Sequence, residues 1–524
     1  MTTRQRWTII CTVIGSGAVF LDGTIVNVAL PQIGRELPSS LFGVLEGQTY
    51  VVSGYLGVLA ALLILTGALS DHYGRRRIYA LGLGSFAVTS ALCGLAPTLE
   101  WLVAFRLLQG AAGALLVPGS MSIITQTFQG AERGRAFGIW ASATSGLVLL
   151  GPLLGGLIVD TVGWRFAFLV NVPVLAFALW VTLRYVAESS ASGARSFDWL
   201  GSAVAALAIG GLSFGLIRGS EQQWQDPAAW VAIALGAVGL VLFPIVMSRR
   251  SDPLVPLSLF RSRAFTTINL ATFFIYGGLY VTSSYQGILF QNVLGYTALG
   301  AGAVGLPTGL ALTLLSTRVG AAAGRIGAKP FLVAGPLLVA AGLVWLTRLP
   351  VDSDPWLASL ADPATLIPPA DVLIDVLPSA LLFGIGMACV VAPLTNTLMG
   401  SIPGRFSGLS SAINNSIARV GQPLLGAAIF VAISATFYTS LGSLAPGLDV
   451  RSSAVRSAYA PLNPPADALP GDLAAARLAS VEAFHLAMLV SAALFVAGAA
   501  VSWLGLRNDA LQPTPAADTP LPAG

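Results

Sequence analysis

Apolar runs of about 20 residues recur along almost the whole 524-residue chain, and about 20 is the number a helix needs to cross a hydrocarbon core roughly 30 Å thick. Fourteen such runs are readable: Trp7–Leu30, Gln48–Leu69, Ile78–Ala96, Leu99–Ile124, Phe137–Val159, Phe166–Tyr185, Trp199–Ile217, Ala228–Met247, Phe265–Phe290, Ala298–Val319, Phe331–Leu346, Val372–Leu398, Leu409–Tyr438 and Ala483–Leu506. The eleventh is short, and the thirteenth is long enough to outrun the bilayer. Only 10% of the residues are charged and 55% are hydrophobic, against roughly 25% charged in soluble domains. A soluble enzyme is excluded on that ground.

Basic residues decide orientation. Of 27 Lys and Arg, all but Lys329 are arginine. With the N-terminus inside, 18 of them fall in cytoplasmic segments and seven in external ones, the asymmetry expected of a chain with both termini cytoplasmic. They lie singly or in short runs between apolar stretches, so no basic face for nucleic acid forms. Arg4 and Arg6 precede an apolar run, but that run is too long for a signal peptide, carries Asp22 and lacks a cleavage site. Cys11, Cys93 and Cys389 all lie in apolar segments, so neither a disulfide framework nor a metal centre is expected.

The chain repeats itself. Gly134-Arg135-Ala136-Phe137-Gly138 leads into Gly151-Pro152-Leu153-Leu154-Gly155-Gly156; Gly404-Arg405-Phe406-Ser407-Gly408 leads into Gln422-Pro423-Leu424-Leu425-Gly426-Ala427, 270 and 271 residues later. The expected architecture is an all-α integral membrane protein with two pseudo-symmetric six-helix halves, 1–190 and 264–507, separated by two inserted helices in 191–263. A disordered cytoplasmic tail, 508–524, follows. Duplicated halves around a midplane site are a common plan for secondary transporters.

Four motifs, in order, carry a resemblance to a known family. Gly67 through Ile78 resembles the cytoplasmic-loop signature of the major facilitator superfamily, and Leu102 through Gly110, with Arg106, its fourth-helix arginine motif. Gly146 through Gly156 resembles the fifth-helix motif of its antiporters, and Leu21 through Pro31 the first-helix signature of its fourteen-span drug:proton antiporter branch. The resemblance covers essentially the whole chain. It implies a monomeric multidrug exporter of the cytoplasmic membrane, exchanging amphipathic or lipophilic small molecules for protons. It further implies alternating access, no cofactor and no metal, with the proton gradient as energy source. An exporter of one endogenous metabolite or lipid is the alternative. An intramembrane lipid-modifying enzyme would need convergent catalytic groups, which two distant histidines, His72 and His485, do not supply.

Asp22 is a carboxylate deep in span one, where desolvation suits it to carrying a proton; a structural role beside Gly23 is the other possibility. Arg106 cannot give up its own proton. The resemblance assigns it a part in proton transfer, and a hydrogen-bond hub between helices is the alternative, as it is for Arg419. The resemblance implies that Gly67, Asp71, Gly74 and Arg75 form a cytoplasmic gate, with Glu132 as a further partner. Gly146, Gly151, Pro152, Gly155 and Gly156 suit either a bend between the halves or a close helix crossing. Asn27, Tyr276, Tyr280, Tyr285 and Gln286 can stack on and hydrogen-bond a cargo, or simply pack. Asp22 is the one deep acid counted, so neutral or monocationic cargo is expected and dications poorly carried, unless Glu46 also enters the cavity. Gly211-Leu212-Ser213-Phe214-Gly215 fits a hydrolase nucleophile pattern and Asn414-Asn415-Ser416 a glycosylation site, but both lie in apolar helical runs.

Overall fold

The computed structural model describes residues 1–189, 198–250, 253, 255–402, 407–465 and 468–506; the side chains of 64, 67, 68, 71, 130, 131, 133, 134, 137, 138, 141, 142, 145, 148, 149 and 407–409 stand outside that description. The tail from Asn508, expected to be disordered, lies outside it too. The described chain is helical: α1 (Thr3–Glu36), α2 (Val44–Tyr73), α3 (Arg75–Gly94), α4 (Leu99–Thr127), α5 (Gly130–Val162), α6 (Arg165–Leu169), α7 (Asn171–Tyr185), α8 (Trp199–Glu221), α9 (Pro227–Arg249), α10 (Arg263–Ile288), α11 (Ala298–Ala303), α12 (Leu306–Ile326), α13 (Lys329–Leu346), α14 (Leu377–Gly400), α15 (Ser407–Leu444), α16 (Ser453–Ala458) and α17 (Pro470–Gly505). Eleven helical segments among the described residues are long and apolar enough to cross a membrane, which makes this a multi-pass membrane protein. The other long helices, α2, α3 and α5, overlap expected spans two, three and five.

Four expected spans differ in detail. Span six breaks into α6 and α7, because Pro173 has no N–H to offer the Leu169 carbonyl one turn back. Span ten breaks after Ala303 for the same reason, with Pro307 in the first turn of α12. Span nine ends in a π-turn, Leu289–Val293. Span fourteen starts at Pro470 rather than Ala483, and the segment before it carries the short helix α16. Asp472, Arg477 and Glu482 interrupt the apolar run without interrupting the helix.

The helices have two ends. At the terminal end lie the chain start and the close of α17: Arg4 donates to the Tyr185 carbonyl, the Arg75 amide to that of Ser189, and Arg263 to that of Leu504. At the loop end, Trp164 donates to Glu36, Ser39 and the amides of Ser40 and Leu41 to Glu100, and Arg477 to the Val293 carbonyl. Helix α4 is the axis of one packing group, contacting α1, α2 and α3, with α7 against α1 and α3 and α5 against α1. The same plan recurs with α14 against α10, α12 and α13, α17 against α10 and α13, and α15 against α10. The groups touch where α2 meets α15, α5 meets α11 and α1 meets α10; α8 lies across α2 and α15, with α9 outside it.

The pair α8 and α9 meets through backbone. A Cβ on Gly211 or Gly215 would come within 2.7 Å of the carbonyl oxygen of Ala232 or Ala229, and one on Gly236 within 2.5 Å of the Leu212 nitrogen. The glycines of the apparent nucleophile pattern are therefore the surface of a helix crossing, where small residues let backbones approach.

Candidate proton and cargo site

Helices α1 and α4 bring together the two residues singled out for proton coupling. Asp22 and Arg106 are each 1% exposed. Arg106 Nη1 donates to Asp22 Oδ2 at 2.5 Å and to Gln109 Oε1 at 2.7 Å, and Gln109 Nε2 donates to Asp22 Oδ1 at 3.1 Å. Arg106 Nε reaches the Val51 carbonyl of α2 at 3.1 Å, and its Cζ lies 4.0 Å from the centre of the Tyr55 ring. Arg106 therefore joins three helices as an interhelical hub and holds an acid at the same time. Charge and hydrogen bonds are both satisfied, which is what makes two ions tolerable in an apolar interior. Gln109 and Tyr55 were not among the expected site residues. Gln109 lies within the arginine motif three positions after Arg106, hence on the same helix face.

The expected cargo residues do not form one surface. Asn27 donates to the Gly23 carbonyl at 3.1 Å and accepts from Ser284 of α10 at 3.0 Å. It joins the two packing groups. Tyr276 and Tyr280 are partly buried neighbours with ring centres 6.5 Å apart. Tyr285 is 3% exposed, its hydroxyl has no hydrogen-bond partner among the described residues, and with Gln48, Thr49, Ser284 and Gln422 it lines a small void. Gln286, the next residue, is partly buried and turned to another face of α10. Arg419 is no interhelical hub among the described residues: its hydrogen bonds go to Asn415, one turn back on α15.

At the terminal end, the gate expectation is only partly visible. The side chains at Gly67 and Asp71 lie outside the described residues. Gly74 links α2 to α3 at φ +103°, a left-handed conformation that favours glycine, and a Cβ there would lie 2.6 Å from Glu188 Oε1. Glu188, absent from the expectations, accepts from the Arg76 amide at 3.1 Å and lies 3.6 Å from Arg77 Nε, while the Arg75 amide bonds to Ser189. Glu132 is placed elsewhere than expected: it accepts from Gln5 at 3.2 Å and stands 3.9 Å from the chain's N-terminal amine. It is the exposed first turn of α5, which faces the start of α1.

The α5 motif divides between two crossings. Gly151 lies against Leu21 and Thr24, and a Cβ on Gly155 would stand 3.1 Å from the Ile25 Cα, both on α1. Gly156 faces α11, where a Cβ would lie 2.6 Å from the Leu299 Cα, and a Cβ on Gly302 of α11 would come closer still to the Pro152 carbonyl oxygen. Gly146 faces open space. Helix α5 continues through Pro152, and Asp160, one turn beyond Gly156, accepts from the amides of Ala298 and Leu299 at 3.1 and 2.7 Å.

Glu46 is fully buried, but it faces α8. Arg218 Nη1 lies 3.4 Å from its Oε1 and also donates to the Leu41 carbonyl, while Arg218 Nε bonds to Asp226 at 2.9 Å. Replacing Arg218 by Gln leaves Glu46 without its counter-charge. The expected loss is on the order of 2–3 kcal/mol, less than a fully buried pair would lose because Arg218 is 19% exposed. A thermal melt of the purified protein should show it, and adding Glu46→Gln should restore most of it.

The model of the Major Facilitator Superfamily matches residues 12–426. The chain belongs to the Major Facilitator Superfamily. It is thus a membrane transporter of small molecules and not an enzyme, with the resemblance read from the four motifs confirmed. Among its relatives, the multidrug resistance protein Stp of Mycobacterium tuberculosis (strain CDC 1551 / Oshkosh) is 34% identical over 456 residues, 85% of this chain and 80% of that protein. The tetracenomycin C resistance and export protein of Streptomyces glaucescens is 32% identical over 422 residues, 80% of this chain and 74% of that one. The fold is also that of a bacterial homologue of the human lysosomal transporter Spinster in an inward-facing and occupied conformation. That match has a TM-score of 0.62 and 16% identity and covers 97% of this chain and 98% of the other.

Proposed function

We propose that this protein is a proton-coupled antiporter that exports small amphipathic or lipophilic compounds; that relatives are named for multidrug resistance and for tetracenomycin C resistance and export supports the export of drugs. It acts as a monomer in the cytoplasmic membrane, with fourteen spans, two six-helix halves, an inserted pair and both termini cytoplasmic. It needs no cofactor beyond the proton gradient. The observation that carries the reading is the fully buried Asp22, held by Arg106 and Gln109 on a neighbouring helix. A proton reaching Asp22 cancels its charge and loosens its hold on Arg106. Arg106 keeps the Val51 carbonyl, Gln109 and the Tyr55 ring, so the helix contact can shift without stranding a bare guanidinium. The coupling lies in that change of partner.

In this reading the loop end is external and closed. Asn463 donates to Gln48 and accepts from Asn292, Gln291 donates to the Val28 carbonyl, and the α5–α11 contact lies at the same end. Cargo then loads from the cytoplasmic side. Everted vesicles containing the protein test the function. Imposing an inside-acid gradient should drive uptake of a neutral amphipathic dye, and collapsing the gradient should stop it. Uptake indifferent to the gradient overturns proton coupling. Reporter fusions should score Pro461 external and Asn508 cytoplasmic; an external Asn508 would overturn the fourteen-span topology.

A further inference from the structure

Five charged side chains among the described residues are more than nine-tenths buried: Asp22, Glu46, Arg106, Asp198 and Arg419. Asp22 and Arg106 pair with each other, Glu46 pairs with Arg218, and Asp198 lies 3.7 Å from Arg250. Arg419, 4% exposed, has no opposite charge within reach among the described residues. Its Nη1 donates to the carbonyl and side-chain oxygens of Asn415 at 3.1 and 3.2 Å, and neither Nε nor Nη2 makes a hydrogen bond among those residues. Its Cζ lies 5.6 Å from the centre of the Phe20 ring of α1. The guanidinium thus stands where the two packing groups face each other, beside a site whose one acid is already held by Arg106. Ser416 and Gln422, three positions before and after it on the same face of α15, carry the buried atoms Oγ and Oε1 with no hydrogen-bond partner among the described residues.

We propose that Arg419 anchors an acidic group on the cargo, so that the carrier prefers amphipaths bearing one carboxylate, sulfonate or phenolate to cations of the same skeleton. This rests on the export reading and specifies its cargo. Guanidinium does not deprotonate in a protein interior. An unpaired charge there is costly, and a carboxylate matching its fork of donors removes that cost with two parallel hydrogen bonds. A cationic cargo does the reverse, adding positive charge beside Arg419 while Asp22 is engaged. The expectation from sequence counted Asp22 as free to balance a cation; its pairing with Arg106 removes that capacity.

Equilibrium binding to the full-length protein in nanodiscs, read by probe fluorescence, tests this without a proton gradient. The probes are anthracene-9-carboxylate, (anthracen-9-ylmethyl)trimethylammonium and anthracen-9-ylmethanol. The carboxylate should bind at least tenfold tighter than the ammonium. Arg419→Gln should bring the two within about twofold while the neutral alcohol changes by less than that, and Arg419→Lys should keep part of the preference. If Arg419→Gln also loses the alcohol, Asn415→Asp decides, because a carboxylate beside Arg419 should erase the preference with the guanidinium still in place. Failure of the carboxylate to bind, ammonium binding as tight as carboxylate, or a preference that survives these variants would overturn the proposal. Selective carboxylate binding without export of the alcohol from energised vesicles would count against the export reading alone.

Discussion

Asp22→Asn is expected to lower uphill, gradient-driven export by at least a hundredfold while cargo binding changes by no more than about threefold. The amide keeps the shape of the carboxylate and one of its two acceptor oxygens, enough to accept from Arg106 but not from Gln109 as well, and it cannot take up and release a proton. The substitution also removes the counter-charge of Arg106, and breaking a buried pair typically costs about 3–5 kcal/mol. Here the loss should be about 1–3 kcal/mol, because the guanidinium keeps the Val51 carbonyl, Gln109 Oε1 and the Tyr55 ring. The double variant Asp22→Asn/Arg106→Gln separates the two effects: it should recover most of the melting temperature and none of the coupling. Vesicle transport with and without an imposed gradient, beside a melt of each purified protein, makes the comparison. Undiminished uphill export by a well-expressed Asp22→Asn protein would remove Asp22 from the mechanism.

The second large effect is expected at Gly156. A side chain there must occupy the space of the Ala298 carbonyl and the Leu299 Cα, backbone atoms that cannot swing aside. Gly156→Leu should therefore hold α5 away from α11 at the loop end, where Asp160 now caps α11. Turnover should fall at least tenfold, and a cysteine placed at Ser284, 7% exposed in this closed arrangement, should react faster with an impermeant thiol reagent added from the loop side. Gly146→Ala is the internal control. It lies in the same motif but faces open space, so it should keep at least half the wild-type rate. Equal losses at 146 and 156 would mean that the motif sets the folding of α5 and not its contact with α11.

Hydropathy made the helices legible, because the length of a span is fixed by the bilayer and needs no tertiary information. Their interruptions were written in the sequence as well, at Pro173 and Pro307, but an apolar count does not register a missing N–H. Charged residues misled in the other direction, hiding the first turns of α17, which are helical outside the apolar run. At the site, residue type revealed that Asp22 and Arg106 were unusual for their depth, and 84 residues of separation hid that they are 2.5 Å apart. Tyr55 gave no signal, since an aromatic in an apolar run looks like packing until a guanidinium lies over it. The glycines of α5 look alike in sequence; only the neighbouring backbone separates Gly156 from Gly146. Glu46 was noticed at a span entrance, but its partner is 172 residues away on α8, and the sequence cannot say which way a helix face turns.

Helices α8 and α9 come as a pair, and the pairing has an evolutionary consequence. One crossing reverses the side on which the chain emerges; two restore it. Because α9 leans chiefly on α8 and exposes much of its length, including Val231, Leu235, Val238 and Val241, the pair can be gained or lost as a cassette without inverting anything downstream. A lineage that lost α8 alone would turn α10 through α17 upside down relative to α1 through α7. Intermediates with an odd number of crossings are therefore barred by parity, whatever their stability, and neutral drift in this region should run through the outward residues of α9, constrained by oiliness alone, long before it touches the glycines that bind the two helices together.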